Sequence, residues 1–347
     1  MAGGMPKRLP TVSDVAALAG VSRQTVSNVL NSPAVVREGT RERVHTAIAE
    51  LGYRPHTSAR RLRTQRAATI AVRLDPVGGG ISGAVLDRFL HALAERGEER
   101  GLTVMLYTAV DPDDEIRQFR RLVDAAAVDA FVLASTYHGD PRTEWLIEHD
   151  QAFVTFGRPW GIPDLTDPKH FWVDVDGRHG VREATEQLLA RGARSVGFLG
   201  WPAGSGTGDE RRAGWAEALR DAGFDDARSA ALSIVAEEGV ASGREAARAL
   251  LEREPHLDAL VTASDTLALG ALIATGGRVP VVGFDNTPVA EAIGFSSIDQ
   301  RVDEVAVAAL DLLDAVGRAQ SAGPSGHRLI EPRVVMRESG PLLGLLR

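Results

Sequence analysis

The sequence predicts an α/β protein in two parts: an N-terminal helix-turn-helix headpiece and a large, two-lobed body with parallel sheets. Three observations carry this. Residues 11–31, "TVSDVAALAGVSRQTVSNVLN", read as two short helices around a tight bend, too small to enclose a core alone. From Thr69 onward, strand-like apolar runs alternate with amphipathic helical stretches. Between the two, near residue 67, the charge changes sign.

Residues 1–66 hold 11 Lys and Arg against 4 Asp and Glu, a net of +7, while the rest hold 28 against 43, a net of −15. A basic arm on an acidic body points to a polyanionic partner for the arm alone. The 347 residues, 44% apolar and 25% charged, suit a soluble globular protein of two or three domains. Without cysteine, disulfides, thiolate metal sites and cysteine nucleophiles are excluded. Neither a cofactor nor a metal is expected. The opening MAGGMPKRLP lacks the apolar run of a signal peptide, and no stretch reaches the ~18 apolar residues of a membrane span. A cytoplasmic location and no membrane partner are therefore expected.

The headpiece elements follow in order. Thr11 caps the first helix, and Thr11-x-x-Asp14 has capping-box spacing with Asp where Glu or Gln is usual. Val12, Val15, Ala16 and Ala19 form its apolar stripe. Gly20 allows the bend and Ser22 caps the second helix. There Val26, Val29 and Leu30 face inward, and Arg23, Gln24, Ser27 and Asn28 face outward. A third helix, about Gly39 to Leu51, closes the small core with Val44, Ala47, Ile48 and Leu51.

The outward set suits double-stranded DNA. Arginine pairs bidentately with guanine O6/N7, and Gln or Asn with adenine N6/N7. The hydroxyls of Ser22, Thr25 and Ser27 suit phosphates, which position a helix without reading sequence. Thr11 joins them as a candidate DNA contact. A helix of this size fits the major groove.

In the body, TIAVRL, TVMLYTA, AFVLAS, AFVTFG, WVDVD, SVGFLG, DALVTAS and VVGFD read as buried strands, with helices such as SGAVLDRFLHALAERGEERG and GVREATEQLLARGA between them. About 280 residues exceed one such sheet, so two similar lobes are expected. VGGGISG and PAGSGTG read as loops at strand ends. Open α/β sheets bind ligands at the C-terminal ends of their strands. Asp75, Asp176, Asp265 and Asp285 each follow an apolar strand directly. Carboxylate acceptors around an arginine donor suit vicinal hydroxyls, and Trp172 and Trp201, near strand ends, suit a sugar's apolar face. Each Asp can equally be a helix N-cap and each Trp a core residue, and the sequence leaves these open.

The string D-V-A-x-x-A-G-V-S-x-x-T-V-S, followed by "TRERVHTAIAELGYRPHTSARRLRTQR", closely resembles the headpiece of the lactose/galactose-repressor (LacI/GalR) family. The resemblance implies that Arg23, Gln24 and Asn28 read bases. It also implies a hinge at His56 to Arg63 that becomes helical only on DNA, with Leu62 as a minor-groove wedge and Ala59 beside it. So few polar and basic residues cannot hold an isolated helix in water, and an apolar wedge kinks the duplex. Arg60 and Arg61 make this hinge unusually basic, which raises phosphate affinity.

Later stretches resemble the family again: "DERRAGWAEALRDAGF", "ALVTASDTLALGAL", "VVGFDN" and "RLIEPRVVMRESG". They imply a periplasmic-binding-protein-like body that takes its effector between the lobes, with Arg211, Ser264, Asp265 and Asp285 as ligand-binding residues. The expected boundaries are 1–55 for the headpiece, 56–66 for the hinge and 67–347 for the body. Within the body the N-lobe is expected at about 67–172 and 298–328, and the C-lobe at about 173–297 and 329–347. Three departures from the family stand out. His56 replaces a common Asn. Arg37 replaces a Ser-like cap, so the third helix is expected to start near Thr40. "IATGGRVPVVGFDN" is shorter than usual.

The expected function is an effector-controlled, sequence-specific DNA-binding regulator: a homodimer on a palindromic operator, repressing carbohydrate uptake or catabolism genes until a mono- or oligosaccharide releases it. A purine or other metabolite acting as corepressor is the alternative. The helix Ser82 to Gly101, with Val85, Leu86, Phe89, Leu90 and Leu93, is a candidate dimer contact. No heptad extension precedes the end at Arg347, so a coiled-coil tetramer is not expected. Enzyme readings are weak. Gly78-x-Gly80-x-x-Gly83 formally matches a dinucleotide fingerprint, but the turn is too long and no acid follows at a second strand's end. The GSGTG patch lacks the Lys-Ser/Thr of a P-loop, and neither H-E-x-x-H nor G-x-S-x-G occurs. A transport binding protein shares the body's expected fold but would lack the basic headpiece and carry a signal peptide.

Overall fold

The computed structural model describes residues 10–31, 33–53, 67–74, 83–161, 165, 167–316 and 326–337. The chain divides into two compact units, Met1–Ala67 and Ala68–Arg347.

The first unit is helical. Helix α1 (Val12–Ala19) starts at a complete capping box, in which Asp14 accepts from the Thr11 backbone N–H and hydroxyl, each at 2.7 Å. Gly20 adopts the left-handed conformation (φ 64°) that turns the chain into α2 (Arg23–Asn31). The Ser22 hydroxyl accepts from the Thr25 N–H at 3.0 Å and so caps α2. Helix α3 spans Glu38–Leu51 and ends on left-handed Gly52. It starts earlier than the expected Thr40. The Arg37 carbonyl accepts from the Thr40 and Arg41 N–H groups (3.0 and 3.1 Å), so the turn closes without a side-chain cap. Val15, Val26, Val29, Val44 and Tyr53 interlock as the core.

The second unit holds two six-stranded sheets. The first is wholly parallel. It contains β1 (Thr69–Arg73), β2 (Thr103–Tyr107), β3 (Ala130–Leu133), β4 (Phe153–Phe156), β5 (Phe171–Val175) and β11 (His327–Ile330), in the order β11-β5-β4-β3-β1-β2. The second contains β6 (Val196–Gly200), β7 (Ser233–Val235), β8 (Ala259–Thr262), β9 (Val281–Phe284), β10 (Ser296–Asp299) and β12 (Arg333–Val335), in the order β12-β10-β9-β8-β6-β7. Only β12 runs antiparallel to its neighbour. Helices α4 (Gly83–Glu99), α5 (Pro112–Asp124) and α6 (Pro141–Glu148) follow strands of the first sheet. Helices α7 (Gly177–Ala190), α8 (Thr207–Asp221), α9 (Asp226–Ala231), α10 (Val240–Arg253), α11 (Asp265–Thr275) and α12 (Pro288–Ile293) belong to the second, and α13 (Val302–Val316) returns to pack on α4, β4 and β5.

The chain thus crosses between sheets after Val175, Asp299 and Ile330. Each crossing falls a few residues beyond the boundary expected from sequence, because β5, β10 and β11 complete their pairing before the chain leaves. Strand β10 lacks an apolar run and is not legible as a strand, and β7 is only three residues long. β10 is "SSID", buried throughout, with its polar groups bonded inside the fold. The face of α4 put forward as a dimer contact is largely spent within the chain. Phe89 and Leu93 are fully buried, and Val85, Leu86 and Leu90 pack half-buried on the same core.

Close helix pairing explains one glycine. A Cβ on Gly214 of α8 would lie 2.0 Å from the Arg178 carbonyl of α7, so only glycine permits this approach. The shortened segment after α11 turns on two successive left-handed glycines, Gly276 and Gly277 (φ 58° and 68°).

Candidate functional site

The outward face of α2 is assembled as the sequence predicts. Val26 and Val29 are buried beneath it, while Arg23 and Gln24 are exposed and Ser27 and Asn28 half-exposed. The Gln24 amide donates to the Asn28 side-chain oxygen at 3.0 Å, so two base-reading candidates hold each other in position. The hydroxyls of Ser22 and Thr25 share a 2.9 Å bond at the start of the helix. Thr11 is bound to Asp14 and serves α1 as its cap. Ala59, Arg60 and Leu62 lie outside the described residues, as does Asp75.

In the body, three strand ends converge on one buried guanidinium. Arg211, on α8, is 4% exposed. Its Nη1 donates to the Ala263 carbonyl after β8 at 2.5 Å. Its guanidinium carbon lies 3.6 Å from the Phe284 ring centroid at the end of β9 and 5.1 Å from that of Trp201 after β6. Its Nε is buried without a hydrogen-bond partner among the described residues. A buried, unsatisfied donor is costly, and Trp145, Trp160, Arg212 and Arg244 hold others like it. Burial lowers the pKa of Arg211, and the charges of Asp285, Asp174, Glu238 and Asp265 oppose that shift.

Asp285 has φ 115°, a conformation that non-glycine residues rarely adopt and that clusters at functional sites. One carboxylate oxygen accepts from Gln300 at 2.6 Å. Burial raises its pKa to about 8, although Arg211 pulls the other way. Ser264 caps α11 and donates to Glu238 at 2.8 Å, and Glu238 also accepts from the Trp201 indole at 2.7 Å. Across from these, Arg158 after β4 donates to Asp174 of β5 at 2.7 Å and reaches Glu210 of α8 at 3.5 Å, which joins the two lobes.

Three expected effector residues are engaged elsewhere. Asp265 is fully buried, and its carboxylate accepts from the Thr287 N–H and hydroxyl and from the Ser297 hydroxyl at 2.6–2.8 Å. With three hydrogen bonds directed into the fold, it acts as a strut. Asp176 caps α7 through the His179 N–H at 2.9 Å. Trp172 donates to the Leu165 carbonyl at 2.8 Å and stacks on His327 at 5.0 Å, so it is part of the first lobe's packing. The sequence reading missed Asp174, Arg158, Glu238 and Gln300. Strand alternation was the available signal for Asp174, which shares a strand face with Trp172. The other three sit on loops without pattern.

Both parts of the chain are similar to known proteins. The family described as bacterial regulatory proteins, lacI family, matches residues 11–56. The family described as periplasmic binding proteins and sugar binding domain of LacI family matches residues 86–323. The HTH-type transcriptional regulator CelR of Thermobifida fusca is 35% identical over 352 residues, covering 96% of this chain and 99% of its own. The structure described as the transcriptional regulator CelR-cellobiose complex superposes with a TM-score of 0.70 at 31% identity, covering 95% of this chain and all of that one. The operator-bound Lac repressor dimer superposes at 0.76 with 23% identity, covering 96% and 99%, a likeness of fold. Fold and site define a DNA-binding transcriptional regulator with a sugar-binding domain, and its relatives are regulators rather than enzymes. The chain belongs to the LacI family of bacterial transcriptional regulators. No helix among the described residues is long and apolar enough to cross a membrane.

Proposed function

We propose that this protein is a cytoplasmic, homodimeric repressor of carbohydrate uptake or catabolism genes, released from a palindromic operator by a sugar. The observation that carries the effector reading is Arg211. Its Nε is buried without a partner among the described residues, its guanidinium lies near the Trp201 and Phe284 rings, and it feels the charges of Asp285, Asp174, Glu238 and Asp265. A ring hydroxyl supplies both an acceptor for Arg211 and a donor for Asp285. Trp201 and Phe284 give the apolar surface that a pyranose face requires. The CelR-cellobiose complex supports a β-linked glucose disaccharide as the first ligand to try.

On DNA, the α2 face supplies base contacts through Arg23, Gln24 and Asn28, and phosphate contacts through Ser22, Thr25 and Ser27. Effector and operator would then oppose each other reciprocally, with a coupling of about 1–3 kcal/mol. Footprinting on genomic DNA near the protein's own gene, with and without cellobiose, lactose, maltose and a purine, tests the reading. Protection of a palindrome that a sugar removes is the expected result. Protection that appears only with the purine would establish a corepressor instead.

A further inference from the structure

The stretch PAGSGTG leads from β6 into α8 and supplies Gly204, Gly206 and Gly208. Gly206 has φ 64° and ψ −72°, and the Thr207 N–H donates across it to the Ser205 carbonyl at 2.7 Å, which makes a γ-turn. Glycine adopts that conformation without strain. A Cβ there would also lie 2.4 Å from the indole of Trp160, which the first lobe presents after β4. Only glycine therefore lets the start of α8 sit against Trp160. The loop is fixed around this seat: Ser205 accepts from the Gly208 N–H at 2.9 Å, and Asp209 from the Gly204 N–H at 2.8 Å.

Charge reinforces the contact. The Arg158 guanidinium carbon lies 4.7 Å from the Trp160 ring centroid, within cation–π range. Arg158 donates to Asp174 of its own lobe at 2.7 Å and reaches Glu210 of α8 at 3.5 Å. Its backbone carbonyl accepts from the Thr136 hydroxyl at 3.0 Å, which fixes the loop that carries both Arg158 and Trp160. Glu210 is held from its own side by Arg178 of α7, at 3.9 Å. The Arg158 and Glu210 side chains are 14% and 27% exposed, so solvent screens this pair only in part. Neither β4 nor β6 is a strand at which the chain crosses between lobes, so this connection is separate from the covalent ones.

We propose that Trp160 and Arg158 form a clasp on the start of α8 that holds the two lobes together before any effector is bound. Because Arg211 directly follows Glu210 on α8, the clasp also sets where that guanidinium rests in the ligand-free protein.

The chain has no cysteine, so spin labels at Arg117→Cys on α5 and Ala241→Cys on α10 report the distance between lobes in the full-length protein. Dilution with unlabelled chain suppresses distances between protomers. Double electron–electron resonance without ligand should give one short, narrow distance population. Glu210→Gln should raise the population at longer distances about two- to fivefold, the range that a partly exposed ion pair supports. Salt at about 0.5 M should act in the same direction on the unsubstituted clasp. Trp160→Ala should raise that population further. Arg182→Gln, which removes ion pairs lying wholly within the second lobe, should leave the distances alone. A distribution that neither Glu210→Gln nor Trp160→Ala changes, in variants that melt cooperatively, overturns the clasp. So does a long, broad population when the clasp residues are intact.

Discussion

The Ser297 hydroxyl donates to the Asp265 carboxylate at 2.6 Å, tying β10 to the first residue of α11. Two further bonds from Thr287 complete the tie. Asp265→Ala should therefore destabilise the body by about 3 kcal/mol whether or not sugar is present, because it leaves several buried donors unpaired. Ser297→Ala should cost about 1 kcal/mol. Thermal melting of the ligand-free protein checks this. An unchanged melting temperature with a lost sugar response would restore Asp265 to the effector set.

Asp285 gives a pH dependence. Burial raises its pKa to about 8, so in the folded, ligand-free protein it is largely protonated at neutral pH. Its contribution to stability is then full below the ordinary carboxylate value of about 4 and is lost as pH rises toward 8. A sugar hydroxyl donating to Asp285 favours the ionised form, so binding should release a proton. Sugar affinity should rise with pH from roughly 6 to 8 and flatten above. Calorimetry in two buffers of different ionisation enthalpy measures the proton directly, and identical apparent enthalpies with flat affinity would contradict the proposal.

Arg23→Ala should relax base preference at one position in each half-site, at about 1–3 kcal/mol against the preferred base. Asn28→Ala should act at a different position and also free Gln24, whose amide it now accepts. A gel-shift panel of single-base operator variants separates the two. A uniform loss across all variants would make these residues phosphate contacts.

Gly214→Ala should cost about 3 kcal/mol or more, since its Cβ would be driven into the Arg178 carbonyl and backbone cannot easily yield. Gly39→Ala, where nothing lies within 4 Å, should instead stabilise α3 by about 0.5–1 kcal/mol. Urea denaturation of the two variants reads both signs.

The headpiece was largely legible because its helices carry their own punctuation: Thr11 and Ser22 as caps, Gly20 as the bend, and valines at helical spacing. The parallel strands were legible because burial on both faces demands apolar runs. Strand β10 was not, since its serines and Asp299 are satisfied by partners far away in the chain, and no local pattern records that. The same limit divides the effector residues. Asp176, Asp265 and Asp285 look alike in sequence, each a carboxylate after a strand. Only tertiary surroundings make the first a cap, the second a strut, and the third a strained acid beside Arg211.

The three crossings between sheets involve β5 and β11, neighbours at one margin of the first sheet, and β10 and β12, neighbours at one margin of the second. All the covalent links between lobes therefore run side by side, like the pins of a door. A swing about that line opens the far side of the cleft, toward the β2 and β7 margins of the two sheets, while the pinned side stays shut. Sliding or twisting would have to stretch three backbones at once, so such a swing is the motion this architecture leaves free.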